Sequence, residues 1–139
     1  MQEQDTFDVS EIEQENFSQP WTQSAFSNAV QDDNYIYLVA LDKDAVVGYV
    51  GCLVSFDEGD ITNIAVRNQY RKMGIAKELL QQIVRLASDK GVKSVFLEVR
   101  ESNHAAQKLY DSVGFVPVGM RKKFYEKPVE DAIVMKKEI

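Results

Sequence analysis

The chain has 139 residues and a formal net charge of −6 at pH 7. This length is typical of one domain that buries roughly two-thirds of its unfolded surface, and the acidic balance argues against nucleic-acid binding and favours a basic peptide as partner. Because the sequence has no long apolar run and a single cysteine, we expect no membrane partner, no signal peptide and a reducing, cytoplasmic location.

The first half of the chain predicts two helices followed by an antiparallel hairpin. Thr22 can cap the second helix, and Trp21 and Phe26 are spaced as a hydrophobic staple across its start. The polar residues 42–44 separate two apolar stretches, which indicates a hairpin turn. The elements predicted here are a helix over 9–16, a helix after Thr22, and strands over 35–41, 45–55 and 60–67.

In the second half, the pattern alternates between strands and helices. Ile75, Leu79 and Ile83 recur at helical spacing, and Gly91 is placed as a C-terminal cap. The elements predicted here are a helix over 74–90, a buried strand over 94–99, a helix over 103–113, and strands over 115–125 and 131–137. The whole order predicts an α/β sandwich with a mixed sheet, and residues 1–139 contain no linker or repeat that would divide them into domains.

A basic turn, Arg-Lys-Met-Gly-Ile-Ala at residues 71–76, lies between the strand and the helix predicted within residues 61–80. A helix start exposes backbone N–H groups and carries positive potential, so this place suits a phosphate. Gly74 and Ala76 allow close approach of the backbone to a pyrophosphate. The spacing is neither that of a Walker P-loop nor that of a dinucleotide fingerprint.

Two further sequence blocks follow this turn. They are Leu-Glu-Val-Arg-Glu-Ser-Asn at residues 97–103, and Ala-Gln-Lys-Leu-Tyr at 106–110 continued by Gly-Phe at 114–115. With the basic turn, these blocks resemble those of the GNAT acetyltransferases, and within them the bacterial ribosomal-protein-alanine N-acetyltransferase (RimI) type. The resemblance covers residues 9–135.

The resemblance implies a GNAT fold and acetyl-CoA as acyl donor. The expected sheet has about six to seven strands flanked by helices, with a first edge strand that is short or absent in this chain. The cofactor-binding residues that it implies are Ile64, Ala65, Val66, Arg71, Lys72, Met73, Gly74, Ile75, Ala76 and Asn103. Asn103 also has the position of a helix cap, which by itself accounts for its identity.

Glu98 is a carboxylate within an otherwise apolar predicted strand. Burial would raise its pKa toward the range of a general base, and the resemblance implies that role, acting through water. A solvent-facing residue near the end of a strand is the alternative. For Tyr110 the resemblance implies a general acid that protonates the CoA sulfur, and an aromatic core contact is the alternative.

The remaining reactive side chains point to no other chemistry. Cys52 lies in an apolar run and is interpreted as a small core residue rather than a nucleophile. His104, the only histidine, is interpreted as a surface residue. Without a cluster of metal-ligating residues, we predict no metal.

The C-terminal hairpin bears on which amine is acetylated. RimI-like proteins resemble each other in a Tyr-Tyr pair followed by Asp-Ala-x-x-Met, which implies Tyr125 and Asp131 as substrate-binding residues here. The first tyrosine of the pair is replaced by Phe124. An α-amine has a pKa of about 7.7–8.0, against about 10.4 for lysine, so a mild base suffices for an N-terminus.

The function predicted from the sequence is therefore acetyl transfer from acetyl-CoA to the N-terminal α-amine of a protein. The expected substrate is a ribosomal protein that begins with alanine, and the enzyme is expected to be a monomer or weak dimer. Acetylation of a small amine or of lysine side chains is the first alternative. A non-catalytic CoA-binding module is the second, although such a module would need neither Glu98 nor Tyr110.

Overall fold

The computed structural model describes residues 1–139 as six strands and four α-helices. In chain order the elements are α1 (Thr6–Asn16), α2 (Gln23–Gln31), β1 (Tyr35–Asp42), β2 (Ala45–Ser55), β3 (Glu58–Val66), α3 (Ile75–Asp89), β4 (Ser94–Arg100), α4 (His104–Val113), β5 (Val116–Glu126) and β6 (Val129–Glu138). Short 3-10 turns precede α1 and α3. This order confirms the predicted α/β fold with a mixed sheet.

All six strands form one sheet in the order β1-β2-β3-β4-β6-β5. Neighbours are antiparallel except β3 and β4, which are parallel and pair only from Glu58–Ser94 to Asp60–Phe96. Beyond that point each strand pairs only with its outer neighbour. A gap therefore opens between residues 61–66 of β3 and residues 97–100 of β4.

A β-bulge in β3 lies directly after the last β3–β4 pair. Cys52 of β2 pairs with Ile61 and Gly51 pairs with Asn63, so Thr62 is the extra residue. Ile61 packs in the core under α3, whereas Asn63, two residues later, hydrogen-bonds to Tyr37 on the opposite face. A bulge changes the alternation of side chains and bends the strand, and here it turns Asn63 toward the α1 side.

Two hydrophobic cores cover the two faces of the sheet. The larger core contains Leu80 and Ile83 of α3 and the alternate residues Val95, Leu97 and Val99 of β4. The smaller core lies under α1 and α2 and includes Val9, Ile12, Phe26 and Tyr49. Because side chains of a strand alternate between faces, Phe96 and Glu98 face the α1/α2 side.

The element bounds differ from the sequence-based ones mainly at the ends. Helix α1 begins at Thr6, three residues before the predicted start, and β3 begins at Glu58 because its first residues pair with β4. Residues 1–5 contribute no strand, and the terminal N–H of Met1 donates to the Tyr37 carbonyl at 2.9 Å. The expectation of a short or absent first edge strand is thus confirmed.

None of the helices combines the length and the apolar character needed to cross a membrane.

Substituting Gly51 by alanine should destabilise the fold. The added Cβ would lie 2.2 Å from Cε1 of the Tyr37 ring, which is buried and hydrogen-bonded to Asn63. Overpacking of this kind costs about 1–3 kcal/mol, and urea denaturation should show a loss of that size. Gly119→Ala is the matched control, since its Cβ meets no atom within 4 Å, and we expect a change within about 0.5 kcal/mol. Equal stability of the two variants would contradict the packing argument.

Candidate active site

The gap between β3 and β4 is the feature around which the predicted site residues gather. Ile64, Ala65 and Val66 line its β3 edge, and Glu98 lies on its β4 edge. Because neither edge has a neighbouring strand there, backbone groups on both sides are free to bind an extended ligand.

The predicted phosphate turn leads from β3 into α3. Lys72 and Gly74 have positive φ angles of 64° and 81°, and Gly74 is the N-cap of α3. No backbone N–H of residues 72–77 finds an acceptor within the chain, and the first bond of the helix is Glu78 N–H to Gly74 O at 3.0 Å. Free donors of this kind, together with the helix dipole, are suited to binding an anion.

A cavity of about 260 Å³ lies at this turn. Of the predicted cofactor residues it is lined by Val66, Arg71, Lys72, Gly74, Ile75 and Ala76. Met73 is not among them, and its side chain is 67% exposed. The analysis of the sequence missed Tyr70, Lys77, Ala105 and Leu109, which complete the lining. The last two come from α4, which no local pattern brings to this turn.

Glu98 lies half-buried on the α1/α2 side of β4. Burial raises the pKa of its carboxyl group, while the positive charge of Arg121 lowers it and the negative charge of Asp60 raises it. Arg121 Nε lies 3.6 Å from Glu98 Oε1. The pKa of Asp60 is raised by burial and lowered by the same guanidinium. Two carboxylates thus share one arginine, and the net shift of Glu98 is toward the range of a base.

Tyr125 of β5 lies close to Glu98. Burial, followed by the negative charge of Glu98, raises the pKa of Tyr125 to about 12. The guanidinium of Arg100 stacks over the Tyr125 ring, 4.3 Å from its centroid. Its positive charge offsets part of the increase in the pKa of Tyr125. The hydroxyl therefore stays protonated at neutral pH and can donate a hydrogen bond.

Tyr110 lies on the other side of the sheet, in the larger core. Its ring packs edge-on against Phe115 with centroids 6.2 Å apart. Burial, and then interaction with Tyr125, raises the pKa of its hydroxyl above the ordinary value. Glu98 and Tyr110 therefore lie on opposite sides of the sheet.

Two predicted site residues have structural partners. The side chain of Asn103 accepts a hydrogen bond from Ala106 N–H at 3.1 Å and caps α4. Asp131 Oδ1 accepts from Lys123 N–H at 2.8 Å, where Lys123 has a positive φ of 53°. These bonds account for both residue types, and each side chain keeps acceptor capacity for a ligand.

Other reactive side chains stay outside this region or are inert. Cys52 is fully buried, and burial raises the pKa of its thiol to about 12, so it remains protonated and unreactive. His104 lines a separate cavity of about 350 Å³ between α4 and the last two strands. No group of three or more His, Cys, Asp or Glu side chains is arranged to hold a metal ion.

Residues 6–115 match the model of the acetyltransferase (GNAT) family. The chain is 36% identical, over 96% of its length and 93% of the relative's, to a ribosomal protein bS18-alanine N-acetyltransferase of Haemophilus ducreyi. Its structure is similar to the crystal structure of the ribosomal-protein-S18-alanine N-acetyltransferase of Escherichia coli, with a TM-score of 0.91 and 30% identity, covering 100% of this chain and 90% of that one. Ard1 of Thermoplasma volcanium is also similar, with a TM-score of 0.91, 25% identity, and coverage of 100% and 94%.

Substituting Arg121 by glutamine should raise the pKa of Glu98. The guanidinium favours the ionised carboxylate, so its removal makes the proton harder to lose. A carbon-13 NMR titration of the Glu98 side-chain carboxyl measures the shift directly. Lys122→Gln is the matched control, since it removes the same charge from an exposed neighbour that pairs with no carboxylate. A Glu98 pKa that is the same in both variants would show that Arg121 does not act on it.

Proposed function

The chain belongs to the GNAT acetyltransferase family, and we propose that it transfers an acetyl group from acetyl-CoA to the N-terminal α-amine of a ribosomal protein beginning with alanine. The observation that carries this proposal is the near full-length match to a bS18-alanine N-acetyltransferase, combined with a half-buried carboxylate of raised pKa at the strand gap. We further propose one domain over residues 1–139, acting in the cytoplasm as a monomer or weak dimer.

The donor side of the site is the turn before α3 and the edge of β3. The free N–H groups of residues 72–77, with the charges of Arg71 and Lys72, suit the pyrophosphate of acetyl-CoA. The unpaired edge at Ile64, Ala65 and Val66 suits the pantetheine arm. Acetyl-CoA supplies the thioester, whose carbonyl is attacked and whose thiolate departs.

Glu98 and Tyr110 have the two proton-transfer roles. In our proposal Glu98 accepts the proton of the attacking amine through a water molecule, because its raised pKa brings it nearer to that of an α-amine. Tyr110 donates its proton to the departing thiolate. Burial keeps that hydroxyl protonated until it is needed.

The acceptor side is the sheet face that carries Glu98. The loop of residues 17–22 and the turn of residues 126–129 flank this face, and Gln19 Nε2 donates to Glu126 Oε2 at 3.3 Å between them. We call the surface between the loop of residues 17–22 and the turn of residues 126–129 the acceptor groove. Tyr125 lies beside it, and Asp131 holds the last hairpin in shape. The hydroxyl that Phe124 lacks leaves Tyr125 as the phenol available to a peptide.

The charge of the groove favours a basic acceptor peptide. Glu98 and Asp60 lie on its floor, where Arg121 offsets part of their negative charge, and Glu126 lies on its rim. The chain as a whole is acidic. Gln19 and Glu126, which hydrogen-bond to each other across the groove, are both exposed. Carboxylates at the floor and rim of the groove suit a basic polypeptide end.

One peptide with a free N-terminal alanine and an internal lysine tests the acceptor. After incubation with enzyme and acetyl-CoA, fragmentation in the mass spectrometer should place the acetyl group on the terminal amine alone. The same peptide with a blocked N-terminus is the control and should remain unmodified. Acetylation of lysine alone would contradict the proposal, and CoA binding without any product would favour a non-catalytic module.

Glu98→Gln should lower kcat by about 100-fold, because general base catalysis contributes at least that much. Tyr110→Phe should lower kcat similarly while the dissociation constant for CoA, measured by calorimetry, stays within a factor of about two. A large loss of CoA affinity in Tyr110→Phe would make that residue a packing contact. Unchanged turnover in Glu98→Gln would remove it from the mechanism.

The acidic limb of the pH profile of kcat/KM should reflect the pKa of Glu98. Activity rises as pH increases through the pKa of the base, because only the carboxylate accepts a proton. Arg121→Gln, which raises that pKa, should therefore move the acidic limb of kcat/KM to higher pH. The acceptor amine titrates identically in both proteins, so the difference isolates the enzyme. Superimposable limbs would contradict the assignment of Glu98 as base.

A further inference from the structure

Glu13 of α1 is a buried carboxylate that the proposed chemistry does not use. Glu13 is 2% exposed, and its carboxylate accepts hydrogen bonds from three donors. Tyr49 donates through its hydroxyl to Oε1, Trp21 through its backbone N–H to Oε2 at 3.0 Å, and Asn63 through Nδ2 to Oε2 at 3.4 Å. Glutamate is rarely buried so completely unless it is paired, and here hydrogen bonds take the place of an ion pair.

The network continues to the bulge of β3. Asn63 Oδ1 accepts from the hydroxyls of Tyr37 at 3.0 Å and Thr62 at 2.7 Å. Its amide group then donates to Glu13. Every hydroxyl and amide in the chain of bonds thus donates toward the Glu13 carboxylate, which is the final acceptor. The bulge makes this possible because it turns Asn63 to the α1 side.

Trp21 links this network to the acceptor groove. It belongs to the loop of residues 17–22, whose Gln19 reaches Glu126 on the opposite rim. The Trp21 ring packs against Phe26 at 5.3 Å and Tyr35 at 6.3 Å between centroids. The Phe17 N–H donates to the Glu13 carbonyl at the end of α1, and among residues 18–21 the Trp21 N–H is the one group that hydrogen-bonds to a buried side chain.

Surface ion pairs cannot replace this bond. Arg67 pairs with Glu11 at 3.7 Å and with Glu15 at 3.3 Å, and both glutamates are exposed. Exposed pairs contribute little, and salt screens them. A hydrogen bond to an ionised group is roughly twice as strong as a neutral one. The bond from Trp21 N–H to Glu13 ties the loop to α1, and it adds to the packing of the Trp21 ring on Phe26 and to the Thr22 cap of α2.

We propose that Glu13 is a positioning residue that anchors the loop of residues 17–22 to the bulged strand β3 and so holds one wall of the acceptor groove in place. This inference rests on the proposed function for what the groove binds. The anchor itself is a property of the fold. Its loss should weaken peptide binding and leave the donor turn and the proton-transfer groups unaffected.

Kinetics of Glu13→Leu and Glu13→Gln test the proposal. In Glu13→Leu the KM for the alanine peptide should rise about tenfold, the effect of losing one charge-assisted bond, while kcat and the KM for acetyl-CoA stay within a factor of about two. Glu13→Gln keeps one acceptor oxygen and should lie between Glu13→Leu and the unmodified protein. Hydrogen exchange of the Trp21 amide should be faster in both variants.

Ser10→Ala is the matched control. Ser10 is buried on the same helix, and its hydroxyl donates to Phe7 O at 2.7 Å without touching the loop. It should alter the melting temperature but not the peptide KM. An equal rise of KM in Ser10→Ala, or an unchanged KM and unchanged Trp21 exchange in Glu13→Leu, would overturn the proposal. A fall in kcat alone would do so too.

Two outcomes separate this proposal from the proposed function. If Glu13→Leu fails to fold, Glu13→Gln decides: a raised peptide KM with faster Trp21 exchange supports the anchor, and values equal to those of the unmodified protein overturn it. If the unmodified protein acetylates no N-terminal amine, the proposed function has failed. Trp21 exchange in Glu13→Gln then decides the anchor by itself.

Discussion

The separation of β3 from β4 is the constraint on which the rest of the structure depends. The two strands pair over three residue pairs ending at Asp60–Phe96 and then part, and the bulge at Thr62 lies at the point of parting. A central gap in a sheet leaves backbone groups unpaired, which costs free energy unless a ligand or water satisfies them. The fold tolerates this cost because β2 and β6 pair with the outer edges of both strands.

The gap also divides the chemistry between the two faces of the sheet. The anion-binding turn and Tyr110 lie with the larger core under α3 and α4, and Glu98 lies on the face covered by α1 and α2. In the proposed reaction, acetyl-CoA and the acceptor amine therefore approach from different sides and meet at the gap. Glu98 stays half-buried there, and its pKa reflects the balance between burial, Asp60 and Arg121.

Local patterns predicted the elements, two helix caps and the conformation of the turn before α3. Thr22 caps α2 and Asn103 caps α4, as their positions indicated, and Gly74 adopts the left-handed conformation that the turn requires. These features depend on residues within a few positions of each other. The Met73 side chain is exposed at this turn, and its backbone N–H is one of the free donors there, because a motif specifies how the backbone turns and not where each side chain points. The family blocks themselves carried the prediction of acetyl transfer, which the comparisons support.

The sequence by itself determined the order of elements and the left-handed glycine turn before α3, and it singled out Glu98 as the proposed base, since each depends on spacing or residue type within a short segment. Only the tertiary structure decided that Ala105 and Leu109 complete the cavity at the turn before α3. It also decided that Arg121 and Asp60 act on Glu98, and that Glu13 accepts hydrogen bonds from Tyr49, Trp21 and Asn63. Glu13 and Asn63 are 50 positions apart. Their contact requires the bulge, the strand order and the docking of α1 together, and no local pattern encodes that combination.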